Sequence, residues 1–192
     1  MTCSEIDLQV LPLHKHPQYL EACVEMINEE WPRSKTARMM SLTASCDNLP
    51  TSLILINNKM NLLGHAKLTR LPNIPNSCFV ETVVITKHMR GKKLGTFLMR
   101  KVECYCKNVL HLKMLHLSTK GQEEFYSKLG FEMCPPVSTY GNPVSIVLKP
   151  DIPEKMKKTT SGNIPPPPPL PKLQSVASTN IKSSKTFMFK YL

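Results

Sequence analysis

Hydrophobic and polar residues alternate with two different periods over the first 150 residues of the chain. A period of two, typical of a half-buried strand, runs through Ile6–Leu13, and a period of about 3.6, typical of a helix, runs through Gln18–Trp31. The polar stretch Pro32–Ser41 predicts a short second helix. Two strand-like runs, Thr51–Ile56 and Asn61–Leu71, flank an Asn-Asn turn signal and therefore predict a hairpin.

The remainder of this region alternates strands with helices. Ser77–Ile85 and Leu112–Thr119 have the apolar content of strands, a helix with one apolar face ends near Asn108, and Gly121–Gly130 predicts a further helix. Asn142–Pro150 is expected to form the last strand. Strands and helices mixed in this order predict an α+β domain over residues 1–150, with one or more strand–helix–strand crossovers.

The composition changes sharply after Pro150. Residues 151–192 are rich in Lys, Ser, Thr and Pro and have little to bury, so we expect a disordered basic tail. Within it, the segment Ile164–Pro171 contains a run of consecutive prolines, which imposes a polyproline II helix that is preformed for binding. Leu170, a hydrophobic residue between prolines, favours a docking site over a spacer. The last residues, Thr186–Leu192, are apolar enough to bind a partner, but their sequence indicates no mechanism.

Composition and charge narrow the possible functions. The formal charge of +11 is divided almost equally between residues 1–150 and 151–192. Aromatic residues make up 6% of the chain and no nucleic-acid module is recognisable, so nucleic acid is not a predicted partner. No apolar run has the length of a membrane span, and the 7 cysteines lack a regular framework or a zinc-like spacing. We therefore expect a cytosolic protein without membrane or metal, and a monomer by default.

A loop rich in glycine and lysine, Arg90–Thr96, separates the strand Ser77–Ile85 from the helix that follows. Such a junction gathers unpaired backbone N–H groups and the positive end of the helix dipole, which together can hold a pyrophosphate. Gly91 and Gly95 allow close approach of the backbone, and the basic side chains add positive charge. Neither a Walker loop nor a dinucleotide fingerprint is present. A basic helix N-terminus that is only exposed to solvent would explain the sequence of this loop nearly as well.

The segments VETVVITKHMRGKKLGTFLM and EEFYSKLGF, in this order with a strand between them, resemble the Gcn5-related N-acetyltransferase superfamily over roughly Ile6–Lys149. The resemblance implies a three-layer α/β/α fold whose mixed, mostly antiparallel sheet is splayed at the cofactor site. It implies acetyl-CoA as co-substrate, with its pyrophosphate in the loop and its thioester at a strand edge. The cofactor-binding residues it implies are Val83, Val84, Ile85, Arg90, Gly91, Lys92, Lys93, Leu94, Gly95, Thr96 and Gln122. Lys93 departs from the family, which usually has glycine there.

The resemblance also implies catalytic roles. Tyr126 would give a proton to the departing thiolate. Without the family resemblance, the simpler interpretation is that Tyr126 is a buried aromatic residue that packs the last helix. Glu81 could deprotonate the amine through a water molecule, and His116 is a second candidate base. Strand histidines such as His65 and His116 are more often structural, and an amine that arrives neutral needs no strong base.

The segments INEEWPRSKTARMMSL, GHAKLTR and VETVVI, with the proline run, resemble the subgroup that acetylates the processed, acidic amino terminus of actin. Cations beside Trp31 would select a peptide that begins with carboxylates, because arginine pairs with them bidentately; a solvated basic face is the alternative. The implied substrate-binding residues are Trp31, Arg33, Arg38, Met39, Met40 and Ser41. The subgroup also implies that profilin carrying actin engages Ile164–Pro171.

Two other functions remain open from the sequence. A small-molecule amine acetyltransferase could share the fold, but the basic segment would repel a cationic polyamine. A catalytically weak adaptor for actin and profilin is the second alternative, and Lys93 in the cofactor loop is the residue that favours it.

Overall fold

A computed structural model describes residues 8–140 and 185–192 of the chain. These residues form a seven-stranded sheet in the order β1-β2-β3-β4-β5-β7-β6, with helices on both faces. The strands are β1 (Leu8–Pro12), β2 (Thr51–Asn57), β3 (Leu62–Arg70), β4 (Ser77–Ile85), β5 (Met114–Thr119), β6 (Glu132–Cys134) and β7 (Thr186–Tyr191). The helices are α1 (Leu20–Glu30), α2 (Lys35–Thr43), α3 (Leu94–Asn108) and α4 (Glu123–Lys128).

Neighbouring strands of the described sheet are antiparallel, except for β4 and β5, which are parallel and connected through α3. This confirms the predicted α+β class with a mixed, mostly antiparallel sheet. The apolar run in β2 follows from burial on both faces. Leu53 and Leu55 belong to the core that contains α3, whereas Ile54 and Ile56 belong to the core that contains α1.

Helix α2 begins later than the sequence predicts. The prediction covered Pro32–Ser41, whereas the helix runs over Lys35–Thr43. Ser34 is its N-cap, and the Ser34 hydroxyl oxygen accepts a hydrogen bond from the Ala37 amide at 3.4 Å. Residues 31–34 are therefore a connection between α1 and α2, so Arg33 lies on this connection and not on a helical face.

Strand β4 contains a bulge at its centre. His65 of β3 is opposite Val84, but Lys67, two residues later, is opposite Glu81, so β4 has one extra residue between these pairs. Thr82 lies in this bulge with φ of 50°, in the left-handed region that β-branched residues rarely adopt. On the other side, β4 pairs with β5 only through residues 77–80. The predicted splay of the sheet is therefore found at residues 81–85.

The last described strand corrects the prediction for the tail. Residues 151–192 were expected to be disordered throughout, and this is wrong for Thr186–Tyr191, which forms β7 between β5 and β6. The strand has only six residues and lies in a region rich in lysine, serine and proline, so its apolar run was not recognised as a strand. The predicted last strand, Asn142–Pro150, and the proline segment Ile164–Pro171 lie outside the described residues.

Two contacts fix β7 against the helices. Met188 is buried in the core that contains α3. The Lys190 ammonium donates hydrogen bonds to Glu103 Oε1 of α3 at 2.8 Å and to the Leu129 carbonyl at the end of α4 at 2.7 Å. The carbonyl at a helix C-terminus otherwise lacks a partner, so this lysine satisfies it while it pairs with Glu103.

Candidate active site

A cleft of about 530 Å³ opens where β4 and β5 separate. Ten of the eleven predicted cofactor residues line it: Val83, Val84, Ile85, Arg90, Gly91, Lys93, Leu94, Gly95, Thr96 and Gln122. Lys92 does not; its side chain is exposed, with Nζ 3.5 Å from the sulfur of Met89. The structure thus brings the strand edge, the loop and the start of α3 to one cavity.

The start of α3 presents main-chain donors to this cleft. The first helical hydrogen bond runs from the Phe97 amide to the Lys93 carbonyl, so the amides of Leu94, Gly95 and Thr96 have no partner within the helix. Gly91 has φ of 78° and Lys93 has φ of 60°, and these two left-handed residues turn the chain into the helix. Three free N–H groups at the positive end of a helix dipole suit a pyrophosphate.

Arg90 is placed differently from what the sequence suggests. Its Nη2 pairs with Glu30 Oε2 at 2.7 Å, and its Nε donates to the Ile85 carbonyl at 3.0 Å. The side chain therefore connects the cofactor loop to the end of α1, and Glu30 compensates its charge. The predicted role of Arg90 as an added positive charge for an anion is therefore weakened by this ion pair, whereas the main-chain N–H groups at the start of α3 are not engaged in this way.

Tyr126 lies in the same cleft as the strand edge Val83–Ile85. Its ring makes edge contacts with Phe125 and Phe131, at centroid distances of 4.9 and 5.8 Å. Burial raises the pKa of Tyr126 to about 12, because the charged phenolate is poorly solvated there. The hydroxyl therefore keeps its proton at neutral pH, as a proton donor requires.

A second, polar cavity of about 270 Å³ lies beside the bulge of β4. Its polar and charged lining residues are Arg33, Arg38, Ser41, Lys67, Glu81, Thr82 and Tyr140. Thr82 lines this polar pocket, whereas the next residue, Val83, lines the cleft. The two cavities therefore have lining residues that are adjacent in the chain.

Arg38 is a buried cation in the polar pocket. Only 8% of the residue is exposed, and burial lowers the pKa of its guanidinium. Nε donates to Asn28 Oδ1 at 3.1 Å and Nη2 to the Trp31 carbonyl at 2.8 Å, so its hydrogen-bond partners are neutral. No carboxylate within the described residues forms an ion pair with it. A buried charge without a counterion favours the binding of an anion.

Lys67 and Glu81 lie on facing strands at the floor of the pocket. Lys67 Nζ donates to Ser41 Oγ at 2.6 Å and lies 3.5 Å from Glu81 Oε1. The Thr69 hydroxyl donates to the same carboxylate oxygen at 2.6 Å. Sequence reasoning missed Lys67, although it lies in the quoted segment GHAKLTR, because only the strand register places it opposite Glu81. Sequence reasoning also missed Thr82 and Tyr140.

Several predicted residues lie elsewhere. His116 of β5 is in neither cavity; it is opposite Phe79, and its ring stacks on Phe189 at a centroid distance of 6.0 Å. Burial lowers the pKa of His116. Met39 packs against the core beneath α1, and Met40 is 70% exposed and lines neither cavity. Trp31 lines the cleft and not the polar pocket.

Residues 8–140 and 185–192 contain no group of three or more His, Cys, Asp or Glu side chains that could hold a metal ion. No helix of this part of the chain is long and apolar enough to cross a membrane.

The acetyltransferase (GNAT) family model matches residues 20–131, which is more than half of the chain. The chain therefore belongs to the GNAT acetyltransferase family. It is similar to the N-alpha-acetyltransferase 80 of Mus musculus, with 33% identity over 181 residues, covering 81% of this chain and 57% of that protein. The chain thus spans little more than half the length of this curated relative.

Solved structures share the fold at low sequence identity. A spermidine N-acetyltransferase from Vibrio cholerae, in complex with CoA and spermine, has a TM-score of 0.57 and 18% identity, covering 67% of this chain and 83% of its own. A GNAT-family acetyltransferase from Staphylococcus aureus Mu50 has a TM-score of 0.57 and 17% identity, covering 96% and 99%. At this level of identity the likeness concerns the fold alone.

Proposed function

We propose that this protein transfers the acetyl group of acetyl-CoA to the α-amino group of acidic protein amino termini, with processed actin as its natural substrate. One observation carries the proposal: a cleft suited to the cofactor and a basic pocket suited to an acidic peptide are lined by the adjacent residues Val83 and Thr82 of β4. The resemblance to a protein named as an N-alpha-acetyltransferase supports it.

The cleft has the groups that acetyl-CoA requires. The free amides of Leu94, Gly95 and Thr96 and the dipole of α3 bind the pyrophosphate. The edge of β4 beyond Val80, which has no β5 neighbour, offers main-chain donors to the thioester carbonyl. Lys93, in the place where the family usually has glycine, is compatible with the loop because it adopts the left-handed conformation that glycine favours.

The chemistry is a direct transfer. The neutral amine nitrogen forms a bond to the acetyl carbon as the bond from carbon to sulfur breaks. Tyr126 gives its proton to the departing sulfur, and the proton lost by the amine leaves through water held by Glu81. Glu81 already accepts a hydrogen bond from Thr69 and faces Lys67, so it acts through a bridging water and not by direct contact.

The charge of the polar pocket selects the substrate. Arg33, Arg38 and Lys67 provide three cations, and Glu81 is the single carboxylate among the residues that line the pocket. A peptide that begins with carboxylates would compensate the excess positive charge, whereas a polyamine would increase it. For this reason we do not propose a polyamine substrate, although the spermidine acetyltransferases share the fold with this protein.

The cellular setting is part of the proposal. We place the protein in the cytosol as a monomer, with profilin carrying actin bound to Ile164–Pro171. Removal of Ile164–Pro171 should weaken binding to profilin and leave turnover of a short peptide unchanged. Removal of Ser175–Lys182, a segment of equal length, is the matched control and should change neither. A loss of peptide turnover in both deletions would show that the region serves the domain itself.

The test of the activity is acetyl transfer to matched peptides beginning Asp-Asp-Asp, Met-Asp and Lys-Lys, followed by release of free thiol. We expect strong preference for the acidic peptides, at least about a hundredfold over Lys-Lys, from two or more charge-assisted contacts. Calorimetry with CoA accompanies the assay. Binding of CoA without transfer to any peptide would favour the adaptor function, and transfer to Lys-Lys alone would favour an amine acetyltransferase.

A further inference from the structure

The bulge of β4 has a strained residue beside the first cleft-lining residue of this strand, Val83. Thr82 has φ of 50°, and its hydroxyl oxygen is buried without a hydrogen-bond partner in the described residues. A β-branched residue remains in this conformation only where its surroundings hold it there, and such strain is concentrated at functional sites. The structure should therefore contain a group that holds the backbone of Thr82.

His65 of β3 is that group. Its side chain is fully buried, and Nδ1 lies 3.3 Å from the carbonyl oxygen of Thr82. Gly64 beside it allows β3 and β4 to approach closely, since a Cβ there would lie 2.6 Å from Ile85 Cδ1 and 2.9 Å from the Val84 carbonyl. Full burial leaves the imidazole little freedom to move.

Burial fixes the protonation state of this histidine. It lowers the pKa of His65 to about 4, so the ring is neutral near pH 7 and has a single N–H. Because the partner is a carbonyl oxygen, the proton is assigned to Nδ1. The unpartnered Nε2 is then an acceptor, and the imidazole has no donor left without a partner.

The planarity of the peptide bond transmits this contact to the cleft. In a trans peptide the carbonyl of one residue and the N–H of the next point in opposite directions. The Thr82 carbonyl lies against the His65 imidazole, so the Val83 N–H is directed away from that ring. Val83 itself lines the cleft, and β4 has no β5 neighbour at this residue.

We propose that His65 is a positioning residue, which holds the Thr82 carbonyl so that the Val83 N–H donates to the thioester carbonyl of acetyl-CoA. The inference rests on the proposed function. Under this proposal three residues of the segment GHAKLTR have separate roles. Gly64 allows β3 and β4 to approach closely, His65 orients the bulge, and Lys67 contributes charge to the polar pocket.

Three substitutions at His65 test the proposal. His65→Asn retains an N–H near the position of Nδ1, His65→Gln moves the N–H to the position of Nε2, and His65→Leu has none. For Gln and Leu we expect kcat to fall about tenfold to a hundredfold, in keeping with the misdirection of one oxyanion donor. The KM for acetyl-CoA and the affinity for CoA, which has no acetyl carbonyl, should stay within about twofold. Asn should keep kcat within about threefold of the wild type.

The alternative is that His65 only fills space. In that case all three variants would lose kcat together, in proportion to their loss of thermal stability, and the proposal would be overturned. It would also be overturned by a Leu variant with the kcat of the wild type. Should Asn fail to fold, the infrared carbonyl stretch of bound ¹³C-acetyl-CoA decides the matter, since it should rise in Leu and Gln relative to the wild type. A wild type that transfers no acetyl group would instead refute the proposed function.

Discussion

The cleft and the polar pocket are lined by neighbouring residues of β4, yet they are built in different ways. The cleft is lined mainly by a nearly continuous stretch, residues 83–96, which includes the backbone amides at the start of α3, together with Glu30, Trp31, Gln122, Phe125 and Tyr126. The polar pocket presents side chains from segments far apart in the chain: the connection after α1, helix α2, strands β3 and β4, and Tyr140. One site therefore depends on backbone conformation and the other on charge.

This difference predicts how each site responds to substitution. An amide of the main chain remains when its side chain is changed, so substitutions in the cleft act through backbone conformation and through Tyr126. A cation in the polar pocket is lost with its side chain, so substitutions there act directly on the affinity for an acidic substrate. Four predictions follow from the comparison, from the largest effect to the smallest.

Arg38→Glu should lower kcat/KM for an acidic peptide by about a thousandfold, because charge-assisted hydrogen bonds contribute about 1.5–3 kcal/mol each and a carboxylate adds repulsion. The KM for acetyl-CoA should not change. Steady-state kinetics with each substrate varied separately measures both. Arg100→Glu, on the exposed side of α3, is the control for the change of charge. Arg33→Glu is a second test of the polar pocket, at a residue that is exposed and not buried. An equal loss of affinity for acetyl-CoA would mean that the two sites are not separate.

Tyr126→Phe should lower kcat about a hundredfold and leave both KM values nearly unchanged. Because burial raises the pKa of Tyr126 to about 12, the proton is present below that pH and is lost only as the pH rises through it. The pH profile of kcat should thus show no decline from this group between about pH 7 and pH 10. Tyr105→Phe, a half-buried tyrosine of α3 in neither cavity, is the control. A fully active Phe variant would assign the proton donor to water.

Thr82→Gly should stabilise the fold by about 1 kcal/mol while it lowers kcat. Relief of left-handed strain and removal of an unpartnered hydroxyl together outweigh the backbone entropy of glycine. Urea unfolding gives the change in free energy. Thr86→Gly is the matched control and should destabilise, because Thr86 has φ of −49° and its hydroxyl donates to the Leu63 carbonyl at 3.0 Å. Destabilisation by Thr82→Gly would show that the bulge is not strained.

Lys93→Gly should have the smallest effect. It relieves the same left-handed conformation, but at an exposed residue with no buried polar atom, so we expect a gain of about 0.5 kcal/mol in the free energy of unfolding. The affinity for CoA should change by less than about threefold, since the amides that bind the pyrophosphate are retained. Lys92→Gly, where φ is not positive, should not stabilise. Thermal unfolding with and without CoA measures both quantities.

The contrast between the two sites also explains what the sequence could predict. The loop Arg90–Thr96 was found because glycines before a helix start define a backbone site within a short stretch. The pairing of Lys67 with Glu81 was missed because it depends on strand register after a bulge, and nothing local marks Thr82 as the bulged residue. Arg33 and Arg38 were visible in the sequence as cations beside Trp31, but only the resemblance to a subgroup of the family favoured substrate binding over a solvated basic face.

The fold was predictable where hydrophobic periodicity was long and uninterrupted. Strands β2 and β4 and helix α3 match their predicted segments to within a few residues. The proposed base His116 illustrates the opposite case: its place beside Phe189 depends on β7, which the sequence did not reveal. A short strand within polar, proline-rich sequence has too few apolar residues to be recognised without its neighbours.

The position of β7 has a consequence for chain entropy. β6 ends at Cys134 and its partner β7 begins at Thr186, so the sheet fixes both ends of the connection between them. The entropy lost when two points of a chain are held together grows with the logarithm of the number of residues between them, about 0.6 kcal/mol for each doubling. A change in the length of the connection should therefore alter this entropic contribution only slightly. Ending the chain before Thr186 would instead remove a strand that is paired on both sides, together with the contact between Lys190 and Glu103.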